Sequence, residues 1–448
     1  MKGTPLNDSS QLLTLTLGPV AHGGHTVARH DSRVVFVRHG LPGEVVTVRL
    51  TESEPSARFW RADVVDVLEA SPDRREHPWP EADALRAARR GAAPVGGAEF
   101  GHATLQAQRQ LKSAVLGEQL RRLAGLDRET EVEGVDDDGL GLHWRTRMAF
   151  AVTQDGRLGM HAHRSEEVIP VRSMPLATGA IEDLALWDLR WDGIARLEVA
   201  APANGSEPLV VLWPREGLPA KERGKALSRA VAQLPEGVSV SSMDPETSQL
   251  LRWRGRSWVK ESVAGFEYRV TGEGFWQIHR KAPETLMSAA MGFLQDGGFL
   301  REGASVADLY AGAGLFTAPL ASAVGPAGAV LSVEGSPGTS RDARKNLHGQ
   351  RQVEIVQGKV ERVLRARPRR LDALILDPPR AGAGKTVVQQ LVRSGPGGIA
   401  YVSCDPASFA RDIGFFQDLG WEMRQLRAFD LYPNTHHLET VTLLTPSA

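Results

Sequence analysis

The single cysteine of the 448-residue sequence, Cys404, follows an apolar run in the stretch AYVSCDPAS at residues 400–408. A thiolate is a strong nucleophile toward soft electrophiles, so this side chain could attack an electron-poor ring carbon. Free cysteine is also a common buried packing residue. Taken alone, the stretch leaves both interpretations open.

Two carboxylates stand at the ends of other apolar runs. Asp377 follows LDALIL, and the two prolines after it keep the chain from entering a helix there. Glu439 opens the closing run ETVTLLT, shortly after Thr435, His436 and His437. A carboxylate beside a thiol can accept its proton. Either acid could instead be an ordinary charge at a strand end, and the two histidines could be solvated or structural.

A turn with two glycines follows the run SVADLY, which contains Asp308. Gly312 and Gly314 precede a predicted helix, where bare backbone and free N–H groups can approach a ligand closely. Glu334 ends the next strand-like run and could accept hydrogen bonds from ribose hydroxyls. The third glycine of the dinucleotide fingerprint is absent, which disfavours a nicotinamide-dependent oxidoreductase. A plain strand-to-helix turn is the other interpretation.

A common sheet edge would bring these residues together. After Glu273, apolar runs alternate with helical segments, which is typical of a buried, mostly parallel sheet. We therefore predict an α/β fold with a doubly wound Rossmann-like domain over residues 271–448. Ligands of such sheets bind at the carboxyl ends of the strands, where the thiol and the acids would meet.

Two smaller domains are predicted upstream. Short alternating runs punctuated by glycine over residues 12–69 predict a small all-β barrel, bounded at 1–72 by a proline-rich and charged segment. Mixed helical and strand patterns over 73–270 predict an α+β central domain. Within it, residues 103–125 and 179–197 have apolar residues at helical spacing.

The composition excludes several classes of protein. A net charge of -1 gives no global attraction to nucleic acid or membranes, so an anionic partner must meet a local patch. One cysteine excludes an intramolecular disulfide framework and a cluster held by several thiolates. The sequence contains no recognisable secretory signal or membrane-spanning run, and we expect the cytoplasm.

The segments DLYAGAG, VEGS, LDPPRAG, YVSCDPAS and PNTHHLET, in this order, resemble the RNA (uracil-5-)-methyltransferase family. The likeness continues upstream: GFWQIH at 274–279 resembles the strand before the methyltransferase core, and residues 12–69 resemble the RNA-binding TRAM module, an OB-like barrel. Nearly the whole chain is covered. The resemblance implies methyl transfer from S-adenosylmethionine to C5 of a uridine in RNA.

The resemblance also implies roles for individual residues. Cys404 would add to C6 of the uracil, and Glu439 would remove the proton from C5. The implied cofactor contacts are Gln277, Tyr310, Gly312, Gly314, Glu334 and Asp377. Of these, Glu334 and Asp377 are indicated by their positions as well.

The expected partner is RNA. A uridine paired in a helix cannot present C6 to a thiol, so the target must lie in a loop or be flipped out. Basic residues interleaved with aromatics at 58–61 (RFWR) and 143–147 (HWRTR) could contact phosphates and stack on bases, although a solvated face is equally consistent. Family analogy favours ribosomal RNA over transfer RNA. We expect a monomer with no membrane partner.

The sequence departs from the family at several positions. Many members carry four cysteines that bind an iron–sulfur cluster, one pair of them in a CGGC segment. Here that segment is Val95-Gly96-Gly97-Ala98, and the later cysteine-proline pair is Met174-Pro175. We therefore predict a protein with no metal and no cluster. Leu315 also stands where the family commonly has an Asn after the glycine turn, and Lys359 stands where an acid or amide often contacts the adenine.

Two other kinds of protein remain as alternatives. An amino-group methyltransferase of DNA or RNA also uses a DPP strand end, but it needs no cysteine. A non-catalytic RNA-binding protein could retain the same fold without the chemistry.

Overall fold

The computed structural model describes residues 12–135 and 139–447. Residues 1–11, which belong to the predicted segment 1–72, and Ala448 lie outside the described residues. None of the helices within the described ranges has the length and apolar character needed to cross a membrane.

The N-terminal part contains six strands: β1 (Leu12–Thr16), β2 (Val20–Ala21), β3 (His25–His30), β4 (Arg33–Arg38), β5 (Val45–Glu52) and β6 (Phe59–Glu69). They form one sheet in the order β1-β5-β6-β4-β3-β2. Val35, Val37, Val46 and Val48 are fully buried in its core, as the alternating pattern requires. Register shifts between β5 and β6 increase the twist and help the sheet curl around this core.

The central part contains a second sheet of seven strands. Its strands are β8 (Arg147–Val152), β9 (Leu158–His161), β10 (Val168–Pro170), β11 (Ile194–Ala200), β12 (Leu209–Pro214), β13 (Ser239–Met243) and β14 (Leu250–Arg254). They are arranged in the order β10-β9-β8-β11-β12-β13-β14, with β12 and β13 parallel. Trp79, Trp144 and Trp191 are fully buried in the associated core. The helices of this part are α1 (Ala84–Arg89), α3 (Gly179–Glu182), a 3-10 helix (Leu186–Asp188) and α4 (Ala220–Gln233).

The C-terminal part is built on an eight-stranded sheet. Its strands are β7 (Val132–Gly134), β17 (Ser305–Leu309), β18 (Ala329–Glu334), β19 (Val353–Gln357), β20 (Ala373–Leu376), β21 (Gly398–Ser403), β22 (Trp421–Asp430) and β23 (Glu439–Pro446). They are arranged in the order β19-β18-β17-β20-β21-β23-β22-β7. Strands β17 to β21 are parallel to one another, and β23 is antiparallel to β21. The chain reverses its direction of winding between β17 and β20, and ligands bind at such a switch point.

Helices cover this sheet. They are α5 (Ala282–Asp296), α6 (Thr317–Val324), α7 (Pro337–Asn346), α8 (Val360–Ala366), α9 (Gly384–Arg393) and α10 (Pro406–Gln417), with the hairpin β15 (Trp258–Val263) and β16 (Phe266–Thr271) before them. The predicted fold class is confirmed: an all-β module and an α+β region precede a Rossmann-like domain.

Two elements of the predicted central segment join the C-terminal domain. Strand β7 pairs with β22 in the large sheet, and α2 (Leu105–Ala124) packs against α10. The predicted division at residue 270 therefore does not coincide with the division between sheets. Because α2 carries side chains toward the carboxyl edge of the large sheet, it contributes to the site described below.

Two local predictions are wrong. The helix predicted over 179–197 is interrupted, because Ala185 adopts a left-handed φ of 45° and residues 194–200 pair as a strand instead. The strand predicted at 274–279 is irregular chain with an isolated bridge at His279. Trp276 packs on Tyr268 there, with ring centroids 5.2 Å apart, so side-chain burial and not sheet pairing fixes this segment.

Candidate active site

Cys404 lies at the carboxyl end of β21, in the turn that leads into α10. Asp405 caps this helix, because its Oδ1 accepts a hydrogen bond from the N–H of Ser408 at 2.8 Å. Pro406 begins the helix at a position where no N–H partner is needed. The turn therefore holds the thiol at the carboxyl edge of the sheet.

Glu439 lies beside the thiol at this edge. Strands β21 and β23 are antiparallel, and Ser403 is paired with Thr440. The next residues outward on the two strands are Cys404 and Glu439, so the register itself places them opposite one another.

The environment of Glu439 favours proton exchange near neutral pH. Its side chain is buried, and one carboxylate oxygen accepts a hydrogen bond from the Tyr432 hydroxyl at 2.9 Å. Burial raises the pKa of Glu439 to about 7, while the Tyr432 hydrogen bond and the charge of Arg380 act in the opposite direction. A carboxylate with this pKa can act as a general base at neutral pH.

The surroundings of the Cys404 thiol favour its protonated form. Burial, and then the neighbouring carboxylates of Glu439 and Asp377, raise the pKa of the thiol to about 12, and the nearby Arg380 lowers it. Because the thiolate is the reactive form, attack by this sulfur requires an acceptor for its proton. The carboxylates of Glu439 and Asp377 lie close enough to act on the thiol electrostatically.

Asp377 lies directly after β20, at the same edge. Its backbone N–H donates to the Leu309 carbonyl at 3.2 Å, which ties it to the end of β17. Burial raises the pKa of Asp377 well above its usual range, and the charges of Glu439 and Asp308 raise it further.

Asp308 is fully buried within β17. Thr317 donates its hydroxyl to Oδ2 of Asp308 at 2.5 Å, whereas Oδ1 has no hydrogen-bond partner among the described residues. Burial raises the pKa of Asp308 to about 7, and Glu334 contributes in the same direction.

The glycine turn after β17 adopts the special conformations that its sequence suggested. Gly312 and Gly314 have φ values of 56° and 95°, and Tyr310 adopts a left-handed φ of 64°, which is uncommon for a residue with a side chain. A Cβ added at Gly312 would meet nothing within 4 Å, so the backbone there borders open space. Such strain at a sheet edge is typical of functional sites.

Glu334 organises this turn. Its carboxylate oxygens accept hydrogen bonds from the N–H groups of Gly312 at 2.8 Å and Ser336 at 2.5 Å. Each carboxylate oxygen can accept a further hydrogen bond, so the side chain can also meet a ligand hydroxyl. Gln277 lies in the chain between β16 and α5, where it is 5% exposed.

A cavity of about 190 Å³ lies above the thiol. Its lining comes from three parts of the chain: a barrel turn, helix α2 with the segment before it, and the C-terminal sheet edge. The lining residues are His22, Gly23, Gly24, Phe100, Leu111, Lys112, Val115, Arg380, Cys404, Asp405, Pro406, His436 and His437. The sequence indicated the thiol and the histidine pair, but it gave no sign that the barrel and α2 contribute.

Lys112 fixes the far side of this cavity. Its ammonium group is 0% exposed and forms an ion pair with Asp430 at 2.5 Å, and it also donates to the Tyr432 carbonyl at 3.1 Å. Helix α2 is thereby joined to the segment that presents Tyr432 to Glu439.

The positions that replace the cluster cysteines are apolar and buried. Val95, Ala98 and Met174 are 3%, 1% and 1% exposed, and all three belong to the core that includes Trp79. Within residues 12–135 and 139–447, no group of three or more potential ligands is arranged to hold a metal ion. That the protein lacks iron stays a prediction.

The two basic-aromatic stretches differ. Phe59 is 40% exposed, and arginines lie over the rings of Phe59 and Trp60 at 5.3 Å and 4.6 Å from the centroids. Trp144, in contrast, is fully buried and stacked on His279 at 5.7 Å, so the expectation that it stacks on RNA bases is wrong. The indole fills the central core instead.

The carboxylates at the sheet edge fit a cationic ligand. The charge of Glu334 raises the pKa of Asp308, the charges of Glu439 and Asp308 raise the pKa of Asp377, and Asp308 keeps a buried oxygen without a partner among the described residues. A ligand with a positive charge would offset this repulsion. S-adenosylmethionine is a ligand of this kind, because it carries both a sulfonium and an ammonium group.

Three family models match the chain. Residues 11–65 match the TRAM domain, residues 367–447 match tRNA (uracil-5-)-methyltransferase, and residues 277–362 match protein-L-isoaspartate(D-aspartate) O-methyltransferase. An uncharacterized RNA methyltransferase of Streptomyces avermitilis is 43% identical over 445 residues, covering 96% of this chain and 98% of the relative. The chain belongs to the RNA (uracil-5-)-methyltransferase family.

Two further relatives of this methyltransferase match over nearly their whole lengths. The 23S rRNA (uracil(1939)-C(5))-methyltransferase RlmD of Shewanella amazonensis is 28% identical, covering 97% of this chain and 96% of that protein. The Pyrococcus abyssi tRNA (uracil-54, C5)-methyltransferase, solved with S-adenosyl-L-homocysteine, superimposes with a TM-score of 0.67 at 20% identity, covering 97% and 100% of the two chains. The fold is therefore that of an S-adenosylmethionine-dependent methyltransferase.

Proposed function

We propose that this protein methylates C5 of a specific uridine in RNA through a covalent intermediate with Cys404. The observation that carries the proposal is the antiparallel register of β21 and β23, which sets the thiol opposite a buried carboxylate whose pKa is about 7. An amino-group methyltransferase has no use for this pair.

The two side chains suffice for the protein's part of the reaction. The thiol gives up its proton to Glu439, which releases it to solvent and is ionised again, and the sulfur forms a bond to C6 of the uracil. The electron pair of the C5–C6 double bond moves toward C5 and O4, which makes C5 nucleophilic. After C5 has gained its methyl group, Glu439 takes the C5 proton, the C5–C6 double bond re-forms, and the sulfur leaves C6 as a thiolate that regains a proton from Glu439.

The methyl group would come from S-adenosylmethionine, whose sulfonium would supply an electrophilic methyl carbon and leave as the thioether of S-adenosylhomocysteine. We propose that the cofactor is held at the switch point by Gln277, Tyr310, Gly312, Gly314, Glu334 and Asp377. The turn of Gly312 and Gly314 offers bare backbone, Glu334 can accept bonds from hydroxyls, and Asp377 would ionise beside the positive charge of the cofactor.

The target is proposed to be a uridine of ribosomal RNA, with transfer RNA as the alternative. The 23S rRNA relative matches along almost the entire chain, which supports the first choice. We propose that segments 1–72 and 73–270 bind the RNA, that segment 271–448 carries out the transfer, and that the protein acts as a monomer in the cytoplasm. Phe59 and Trp60, flanked by arginines, offer a surface for bases and phosphates.

RNA that contains 5-fluorouridine tests the chemistry. Glu439 cannot remove fluorine as it removes a proton, so the wild-type protein and the methylated RNA should remain joined in a complex that survives denaturing electrophoresis. Cys404→Ala should form no complex and transfer no methyl group. Methyl transfer by Cys404→Ala would favour the amino-group methyltransferase, and a wild type that binds RNA without reaction would favour the binding protein.

Mapping 5-methyluridine identifies the substrate. Total RNA from cells with and without the gene should differ at one uridine or a few uridines, and the proposal places them in 23S rRNA. A change confined to transfer RNA would replace that target, and no change at any uridine would refute the proposed activity.

A further inference from the structure

One wall of the cavity above Cys404 comes from the distant N-terminal barrel. The turn between β2 and β3 contributes His22, Gly23 and Gly24 to the lining. The imidazole Nε2 of His22 lies 2.9 Å from Oδ2 of Asp405, the residue that follows the thiol. A contact over 383 residues of chain thus ends beside the proposed nucleophile.

The turn is shaped for close approach to the cavity. Gly23 and Gly24 have φ values of 88° and 78°, which other residues adopt with strain. A Cβ at Gly24 would lie 2.6 Å from Cβ of His436 and 3.1 Å from a ring carbon of Phe100. Only glycine allows the barrel turn to pack against these two cavity residues.

The His22 contact completes the hydrogen bonding of Asp405. One carboxylate oxygen caps α10 through the N–H of Ser408, and the other faces His22. The hydrogen bond to Asp405 raises the pKa of His22, and the charge of Glu118 adds to this. Hydrogen bonds from His22 and Ser408 lower the pKa of Asp405 to about 2 despite burial. Because the pKa of His22 is raised, the contact between His22 and Asp405 is an imidazolium–carboxylate ion pair below neutral pH.

We propose that the barrel turn at residues 22–24 is part of the uridine pocket and that His22 is a positioning residue for Cys404. By fixing Asp405, His22 holds the strand-to-helix turn that aims the sulfur, and Gly23 and Gly24 confine the base above it. The N-terminal module then acts in catalysis as well as in RNA binding. This inference rests on the proposed uridine C5 methylation.

Single-turnover adduct formation tests the inference with the full-length protein and a short oligoribonucleotide containing 5-fluorouridine. His22→Ala should reduce the rate of adduct formation about tenfold while the Kd for the RNA stays unchanged, because small displacements of a reacting group slow reaction more than binding. His22→Gln, which keeps a donor for Asp405, should recover much of the rate. His30→Ala is the matched control, because His30 also lies near an aspartate on the barrel, at 3.5 Å from Asp31.

Asp405→Asn provides a second measurement. If His22 acts through Asp405, the rate losses of His22→Ala and Asp405→Asn should not add in the double variant. Additive losses, an unchanged rate in His22→Ala, or a loss confined to Kd would overturn the inference while leaving the proposed function intact. A wild type that forms no adduct would overturn both.

Discussion

Replacing Tyr432 with phenylalanine should shift the pH dependence of proton removal from C5. The Tyr432 hydroxyl donates to Glu439 at 2.9 Å and lowers the pKa of that carboxyl against the effect of burial. A hydrogen bond to a charged group contributes about 1.5–3 kcal/mol, which corresponds to a pKa change of about one to two units. The pKa of Glu439, about 7 in the wild type, should therefore rise in Tyr432→Phe.

The sign of the effect follows from the role of the base. Glu439 must be ionised to take the C5 proton, so the rate rises with pH through its pKa and reaches a plateau above it. At pH 7 the wild-type carboxyl is about half ionised, and a shift of one to two units reduces the rate about 5- to 50-fold. At high pH the two proteins should converge.

Tritium release from RNA labelled at C5 of uridine measures this step directly. Single-turnover rates between pH 5.5 and 9.5 give the inflection point for each protein. Tyr401→Phe is the control, because Tyr401 is also buried but donates to Asp412 on α10 at 2.9 Å. The reasoning fails if the inflection of Tyr432→Phe stays at that of the wild type or moves to lower pH.

Three further measurements probe stability and composition. Lys112→Met leaves the buried Asp430 carboxylate uncompensated and should lower the free energy of unfolding by about 3–5 kcal/mol in urea titrations, and Asp430→Leu added to it should restore part of the loss. Burial lowers the pKa of His39 to about 4, so its contribution to stability is complete above pH 6.5 and is lost as the pH falls toward 4. Wild type should lose about 2 kcal/mol more than His39→Asn between pH 7.5 and 5, and equal losses would contradict this. Anaerobically purified protein should contain neither iron nor sulfide by elemental analysis, and stoichiometric amounts of both would contradict the predicted absence of a cluster.

The sequence was sufficient to predict the C-terminal fold because its signals are local. Buried parallel strands appear as apolar runs, and a polar residue directly after each run must lie at the carboxyl edge. For this reason, the sequence alone predicts that Cys404, Asp377 and Glu334 lie at this edge. The same kind of reasoning failed over 179–197, where a left-handed residue and strand pairing overrode the helical pattern.

The two basic-aromatic stretches show that amino-acid composition does not predict which aromatic side chains are exposed. Residues 58–61 and 143–147 have similar character, but one includes an exposed ring and the other a fully buried one. Whether an aromatic side chain faces solvent depends on which surface covers it, and that surface is distant in sequence. Trp144 is covered by the central core and His279.

By itself, the sequence determined the chemistry available at the site: one thiol, several strand-end acids, and apolar residues where a cluster would need cysteines. The tertiary structure alone decided how that chemistry is controlled. Burial sets the pKa of Glu439 near 7, and contacts across hundreds of residues bring Lys112 and His22 to the cavity. The pKa of Glu439 and the walls of the cavity depend on packing between segments that are distant in sequence, and no local sequence pattern predicts such packing.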